Sequence, residues 1–186
     1  TERVDLVVVS GGTGATGAEI ERNLGRIAAL GVPVVAVIGN TENRGTFNIG
    51  LRDAHEKNRN VLHGGFVRSI DLDGLRLITL PGYHDEARLM LSGACLSRPN
   101  SVKELEVLAA GSPHPVLLLA QDTPIFKGTG GLDYMPGNGH LGNSSLNRLM
   151  KKAGIRFGVF TTAAESGGRA TDVAGKDVKQ KTWSES

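Results

Sequence analysis

The chain has 186 residues, of which 39% are hydrophobic and 22% charged: enough apolar material for one packed domain, and too much for a disordered segment. A formal net charge of +2 gives no case for nucleic-acid binding, and the single cysteine, Cys95, excludes an intrachain disulfide. No apolar run approaches the roughly 18 residues that span a bilayer, and a lone thiol suits a reducing cytoplasm, the expected location.

The first stretch, "RVDLVVV", is a β-branched run of the kind buried on both faces of a parallel sheet. After the glycine-rich "SGGTGATG", residues 18–30 place Ile20, Leu24, Ile27 and Leu30 on one helical face, and Gly31 ends that helix. "PVVAVIG" is a second buried strand, followed by the polar loop "NTENRGTFN" and a helix expected over 49–58. The pattern then alternates: "VRSIDL" and "LRLITL" flank Asp73-Gly74, a hairpin turn signal. Ser101 with Glu104 reads as a capping box opening a helix through Leu108. "PVLLLAQDTP" is a further buried strand, residues 125–143 a long loop, residues 144–152 a helix begun at Asn143-Ser144, and "RFGVF" a last strand. A polar hairpin is expected near the carboxyl terminus. A single α/β domain over residues 1–186 follows.

Gly12, Gly14 and Gly17 satisfy G-x-G-x-x-G between a strand and a helix, the context in which backbone N–H groups cradle a pyrophosphate. The second strand of such a unit should end near an acid that holds a ribose; here it ends in Gly39-Asn40-Thr41, with Glu42 in the loop beyond. A nucleotide-binding, Rossmann-like protein working through Gly12–Gly17 is therefore one alternative.

A second reading comes from the strand ends taken together: "SGG" at 10–12, "GNTEN" at 39–43, "AQDTP" at 120–124 and "FTTAAESGG" at 160–168. In that order and spacing the chain resembles the calcineurin-like metallophosphoesterase superfamily over nearly its full length. "GVPVVAVIGNTEN" is similar to the strand that leads into Gly-Asn-His-Asp/Glu. "PVLLLAQDTP" is similar to the strand that ends in His-x-Pro-Pro, and "FGVFTTAAESGGRATD" to the one that ends in Gly-His-x-His. "HLGNSSLNRLM" resembles one branch of that family. The resemblance implies an α/β sandwich of two mixed β-sheets flanked by helices.

It also implies a two-metal site, because the family holds paired divalent ions that activate water and clamp a phosphate. Carried over residue by residue, that site is degenerate. The family's Asp-x-His strand has no counterpart, since the chain starts at what looks like the second strand. Gly11-Gly12 stands at Gly-Asp, Asn40-Thr41 at Asn-His and Gln121 at the later His. Thr161, Thr162 and Ala164 stand at the last three positions. Glycine, threonine and alanine offer nothing comparable to carboxylate or imidazole donors, so no cofactor is expected. A divalent ion of the manganese or magnesium type enters only under the alternative of a phosphoesterase whose missing ligands come from upstream or from a partner.

The five histidines are dispersed and read as surface or packing residues. The exception is His140 with Asp133 or Asp122, which together with Glu165 forms the candidate for a rebuilt polar site. His84 follows "PGY" in a loop, and Asp85 and Glu86 after it read as solvated. The resemblance thus implies a catalytically inactive domain that acts as a protein-interaction or scaffold module. A protein partner is expected to engage an apolar surface patch, self-association is compatible with that role, and neither membrane nor nucleic acid is expected as partner.

Overall fold

Valine runs become the first sheet. In the computed structural model, which describes residues 4–89, 91–161, 170–172 and 176–177, β1 (Val7–Ser10), β2 (Val34–Val37) and β3 (Val61–His63) lie parallel in the order β1-β2-β3. Parallel neighbours need crossover connections. The first is α1 (Gly17–Ala28) and the second α2 (Arg44–Lys57). All four residues of central β2 are buried, as expected of a strand covered on both faces. β1 is only half-buried, because among the described strands β2 is its sole partner in the sheet.

The helix boundaries follow capping chemistry more than apolar period. Thr16 and Glu19 form a capping box at the start of α1, a device worth about 1 kcal/mol. That helix buries Ile20, Leu24 and Ala28 and then stops, so Leu30, expected on the apolar face, is exposed. α2 begins at Arg44, five residues before the expected start. The Asn43 side chain caps it by accepting from the Gly45 and Thr46 N–H groups, and Phe47, Leu51 and Ala54 face inward.

The second sheet has the order β4-β5-β6-β9. β4 (Ser69–Leu72) and β5 (Leu75–Leu80) are antiparallel across the expected Asp73-Gly74 turn, where Gly74 adopts φ +73°. β5, β6 (Val116–Ala120) and β9 (Phe157–Phe160) run parallel. Between β6 and β9 the long loop carries a two-stranded hairpin, β7 (Tyr134–Met135) with β8 (Gly139–His140). The expectation of two mixed sheets is therefore corrected: among the described residues the first sheet is all parallel, and the second is mixed because the β4–β5 hairpin attaches to it.

α3 (Pro99–Ala109) and α4 (Ser144–Ala153) cover the outer face of this second sheet, their Val102, Leu105, Leu146 and Leu149 packing on Ile78, Leu80, Leu118 and Ala120. The expected cap at Ser101 is corrected too. Pro99 is preset for a first helical position, so α3 begins there with Arg98 as N-cap, and Glu104 pairs with Arg68 instead. α4 begins as read, capped by Asn143 and closed by Gly154 at φ +67°. The inner faces of the two sheets meet through Val35, Val37, Leu77 and Leu119. Helices α1 and α2 cover the first sheet through Ile20, Leu24, Phe47 and Leu51. The layers are thus helix, sheet, sheet, helix, and each fully buried leucine in them contributes about 2 kcal/mol of burial free energy. The expected carboxyl-terminal hairpin lies largely outside the described residues, which record one antiparallel bridge there, Thr171 with Asp177.

Candidate functional site

The carboxyl ends of β1, β2, β6 and β9 gather at one edge of the sandwich. Ser10 Oγ and Thr161 Oγ1 lie 2.8 Å apart, and Thr161 Oγ1 donates to Gln121 Oε1 at 3.5 Å, so neutral side chains link the two sheets. Beside them the backbones of Gly11 and Gly39 touch: a Cβ built on Gly39 would stand 2.7 Å from the Gly11 Cα and 3.4 Å from Gln121 Oε1. The structure thus brings Gly11, Gln121 and the strand end before Asn40 together. Gly12 adopts φ +68° with open space where a side chain would be, Asn40 is half-buried and Thr41 is exposed. Thr162, Ala164 and Glu165 lie outside the described residues.

Glu42, read as a loop residue, is 3% exposed and holds this corner together. Its Oε1 accepts from the Thr13 N–H at 2.7 Å and from the Thr13 hydroxyl, and its Oε2 accepts from the Gly39 N–H at 2.7 Å. Asn23 adds a bond from Nδ2 to the Thr13 carbonyl at 2.8 Å. Two further amides of the glycine loop are also satisfied from within. Glu19 Oε2 accepts from Ala15 and Thr16 N–H, and these bonds, Ala15's first, hold its carboxyl below the ordinary value. The Thr13, Ala15 and Thr16 amides, which a pyrophosphate cradle would draw on, are thus turned onto two carboxylates of the chain itself.

These residues do not fit a pair of divalent ions. Gly12, Thr41 and Gln121 supply no charged donor, and Glu42 is committed to backbone N–H groups. Among the described residues no three His, Cys, Asp or Glu side chains converge as a ligand set.

A second polar centre lies one residue past Gln121. The fully buried Asp122 accepts from Asn143 Nδ2 at 2.8 Å and from the Thr123 N–H at 3.1 Å, and both its oxygens lie 2.9 Å from His84 Nδ1. Burial pushes the Asp122 carboxyl up, and the bonds from Asn143 and His84 oppose that shift. The equally buried Asp133 accepts from the Phe126 N–H at 3.1 Å and the Gly142 N–H at 3.2 Å, with His140 Nδ1 at 3.1 Å. Between the pairs, the Tyr83 hydroxyl donates to the Leu141 carbonyl at 2.9 Å, and burial, then the Asp122 charge, push its pKa up to about 12.

Among the described residues the structure shows two separate histidine–carboxylate pairs; Glu165, the third member of the expected grouping, lies outside them. His140 takes Asp133, and Asp122 takes His84, which sequence reasoning placed in a loop as a surface or packing residue. The signal for that partnership is topological: Leu80 and Ala120 are register partners, so the residues just past β5 and β6 emerge side by side. Chemically, a buried carboxylate fixes each imidazole by Nδ1 and leaves the half-exposed ring's Nε2 side free to face solvent or a ligand. Asp85 is not simply solvated either: it accepts from the Ala87 N–H and pairs with Arg88.

No protein-family model and no curated protein matches this chain. Two solved structures are similar to it in fold. One crystal structure superposes with a TM-score of 0.64 at 18% identity, over 94% of this chain and 78% of that one. The crystal structure of TT1561 of Thermus thermophilus superposes with a TM-score of 0.57 at 12% identity, over 84% of this chain and 68% of that one. At such identities the likeness is one of α/β fold alone. Among the described residues no helix is long and apolar enough to cross a membrane.

Proposed function

We propose that the protein is a metallophosphoesterase-like domain that has exchanged its two-metal centre for backbone packing and now serves as a protein-binding module. The carrying observation is the contact between Gly11 and Gly39, braced by Glu42, at the corner where the family's ligands would stand. A carboxylate that satisfies two backbone N–H groups and a hydroxyl is a structural brace, and the neighbouring ligand positions carry glycine, threonine and glutamine. The layered order of helix, sheet, sheet and helix, with strand ends converging at one edge, supports the same assignment.

The binding role draws on a different face. Phe66 is 73% exposed, and with Ile49, Leu62 and Val67 it borders an apolar groove of about 420 Å³ between α2 and β3. The Val61 and His63 carbonyls of β3 are taken by His55 and by the Phe66 and Val67 N–H groups, so a partner protein would engage the groove through apolar side chains and not by adding a strand.

Calorimetric titration with manganese and hydrolysis of bis(4-nitrophenyl) phosphate test the first half. The natural chain should show neither saturable binding nor turnover, while Gly12→Asp combined with Thr41→His and Gln121→His should acquire manganese binding. Hydrolysis by the natural chain would overturn the reading in favour of ligands supplied from elsewhere. For the second half, a partner recovered with the natural chain should be lost with Phe66→Asp and kept with Thr41→Ala.

A further inference from the structure

The margins of the two sheets are protected unequally. The β3 carbonyls at Val61 and His63 are occupied, and β4 carries the charged Asp71, held by Arg76, a device that discourages addition of another strand. β1 has no such protection. Val7, Val8, Val9 and Ser10 carry no charge, and their pairing with β2 runs on without proline or bulge.

Alternate residues of a paired strand turn their N–H and C=O groups toward the neighbour. The Val7 N–H donates to the Pro33 carbonyl at 2.9 Å and the Gly11 N–H to the Val37 carbonyl at 3.0 Å, so the odd-numbered residues face β2. The Val8 and Ser10 N–H groups and the Leu6 and Val8 carbonyls therefore point outward, and no described residue bonds to them. An apolar seam lies beside this edge. Leu6 and Val8 turn toward the space between the sheets. Across it, Phe157 and Val159 share a face with their register partners Leu117 and Leu119, which pack there. Phe157 is nevertheless 58% exposed and Val159 39%. β9, whose end meets β1 at Ser10 and Thr161, is the last described strand of its sheet.

We propose that a second copy of this chain closes the edge, β1 pairing antiparallel with β1 about a two-fold axis at Val8. Register and charge select this occupant. The outward groups at Leu6, Val8 and Ser10 are spaced evenly about Val8, so the rotation sets each donor against an acceptor. Val8 exchanges both its bonds with its counterpart, and each Ser10 N–H donates to the Leu6 carbonyl of the other copy. The exposed Asp5 falls opposite Gly11 of the other copy, so no like charges meet. An axis normal to the sheet keeps both inner faces on one side and turns the exposed Phe157 and Val159 of the two copies toward each other. Such a contact is at the small end of stable interfaces, about 1,200 Å², so the dimer dissociates on dilution. This surface is separate from the α2–β3 groove, and the inference does not depend on kinship with phosphoesterases.

The test is sedimentation equilibrium of the whole chain over a wide range of concentration, with two variants. Val8→Pro removes the outward N–H without touching a bond to β2, and Phe157→Glu charges an exposed position of the seam. A concentration-dependent dimer, weakened about tenfold or more by each variant while circular dichroism stays that of the natural chain, supports the pairing. Oxidative cross-linking on a Cys95→Ser background reads the register. Val8→Cys places two Cα atoms about 5.5 Å apart, within disulfide reach, and should link the copies. Leu6→Cys leaves them about 13 Å apart and should not. A monomer at every concentration overturns the proposal, as does a dimer that survives both variants or one that cross-links equally at both positions. A dimer lost only on Phe66→Asp overturns it too, by seating the second copy in the α2–β3 groove.

Discussion

His84 and Asp122 stand 38 positions apart in the chain and meet with the imidazole Nδ1 2.9 Å from both carboxylate oxygens. The meeting is made by parallel pairing of β5 with β6, which brings the two strand ends out together. Asp122 also accepts from Asn143, the cap of α4, so one buried carboxylate ties the β5 loop, the β6 end and a helix start into a single unit.

Replacing Asp122 with Ala should therefore destabilise the fold by about 3 kcal/mol, since it strands the Asn143 amide and the Thr123 N–H in a buried site. Asp122→Asn keeps the shape and one acceptor oxygen and should cost less than half as much. Urea unfolding of the two variants checks the order; equal losses would mean that bulk and not hydrogen bonding sets the cost.

Glu42 makes the same kind of brace for the strand-end corner. Glu42→Ala leaves the Thr13 and Gly39 N–H groups without their acceptor and should cost about 2–4 kcal/mol. Glu42→Gln must turn a donor toward one of those N–H groups and should recover only part of the loss. Amide exchange at Thr13 and Gly39 is the local readout: both protons should exchange faster in either variant.

Much of the architecture is legible in the residues because local signals agree with the fold. The valine runs at 7–9 and 34–37, the Asp73-Gly74 turn and the Asn143 cap each match the observed element. Misreadings occur where one local signal competes with another. Asn43 could be a loop residue or a cap, and Ser101 with Glu104 imitates a capping box inside a helix that Pro99 had already begun. The site was less legible, for a different reason. Whether Glu42 is buried and what Asp122 touches depend on contacts across 29 and 38 positions, which no periodicity within either segment encodes. His140 with Asp133 could be proposed because only seven positions and a hairpin separate them.

Two glycines at the corner should respond differently to alanine. Gly39→Ala drives a Cβ to within 2.7 Å of the Gly11 Cα, a backbone atom that cannot swing away, and overpacking of this kind costs about 1–3 kcal/mol. Gly12→Ala meets no atom within 4 Å and suffers only the left-handed φ of +68°, about 1 kcal/mol. Thermal unfolding should rank Gly39→Ala as the more damaging; the reverse order would mean that the corner relaxes around an added methyl.

His63 gives the fold a defined response to acid. Its Nδ1 accepts from the Gly65 N–H at 3.0 Å, which places the ring proton on Nε2, where it donates to Asn48 Oδ1 at 3.0 Å. Both nitrogens are thus satisfied by a neutral ring, packed edge-on against Phe47 and tilted against Phe66. Burial, then the positive charge of Arg44, lowers its pKa below the ordinary 6.5. A histidine with a depressed folded-state pKa binds fewer protons folded than unfolded, so stability rises with pH across that interval. Its contribution is complete above 6.5 and is lost as pH falls toward the folded value, when a proton on Nδ1 would break the bond from Gly65. Unfolding midpoints of the natural chain should therefore fall on acidification below pH 6.5, and His63→Phe should flatten that part of the profile while lowering the plateau by about 1 kcal/mol for the lost hydrogen bonds. An unchanged slope in the variant would assign the acid sensitivity to another group.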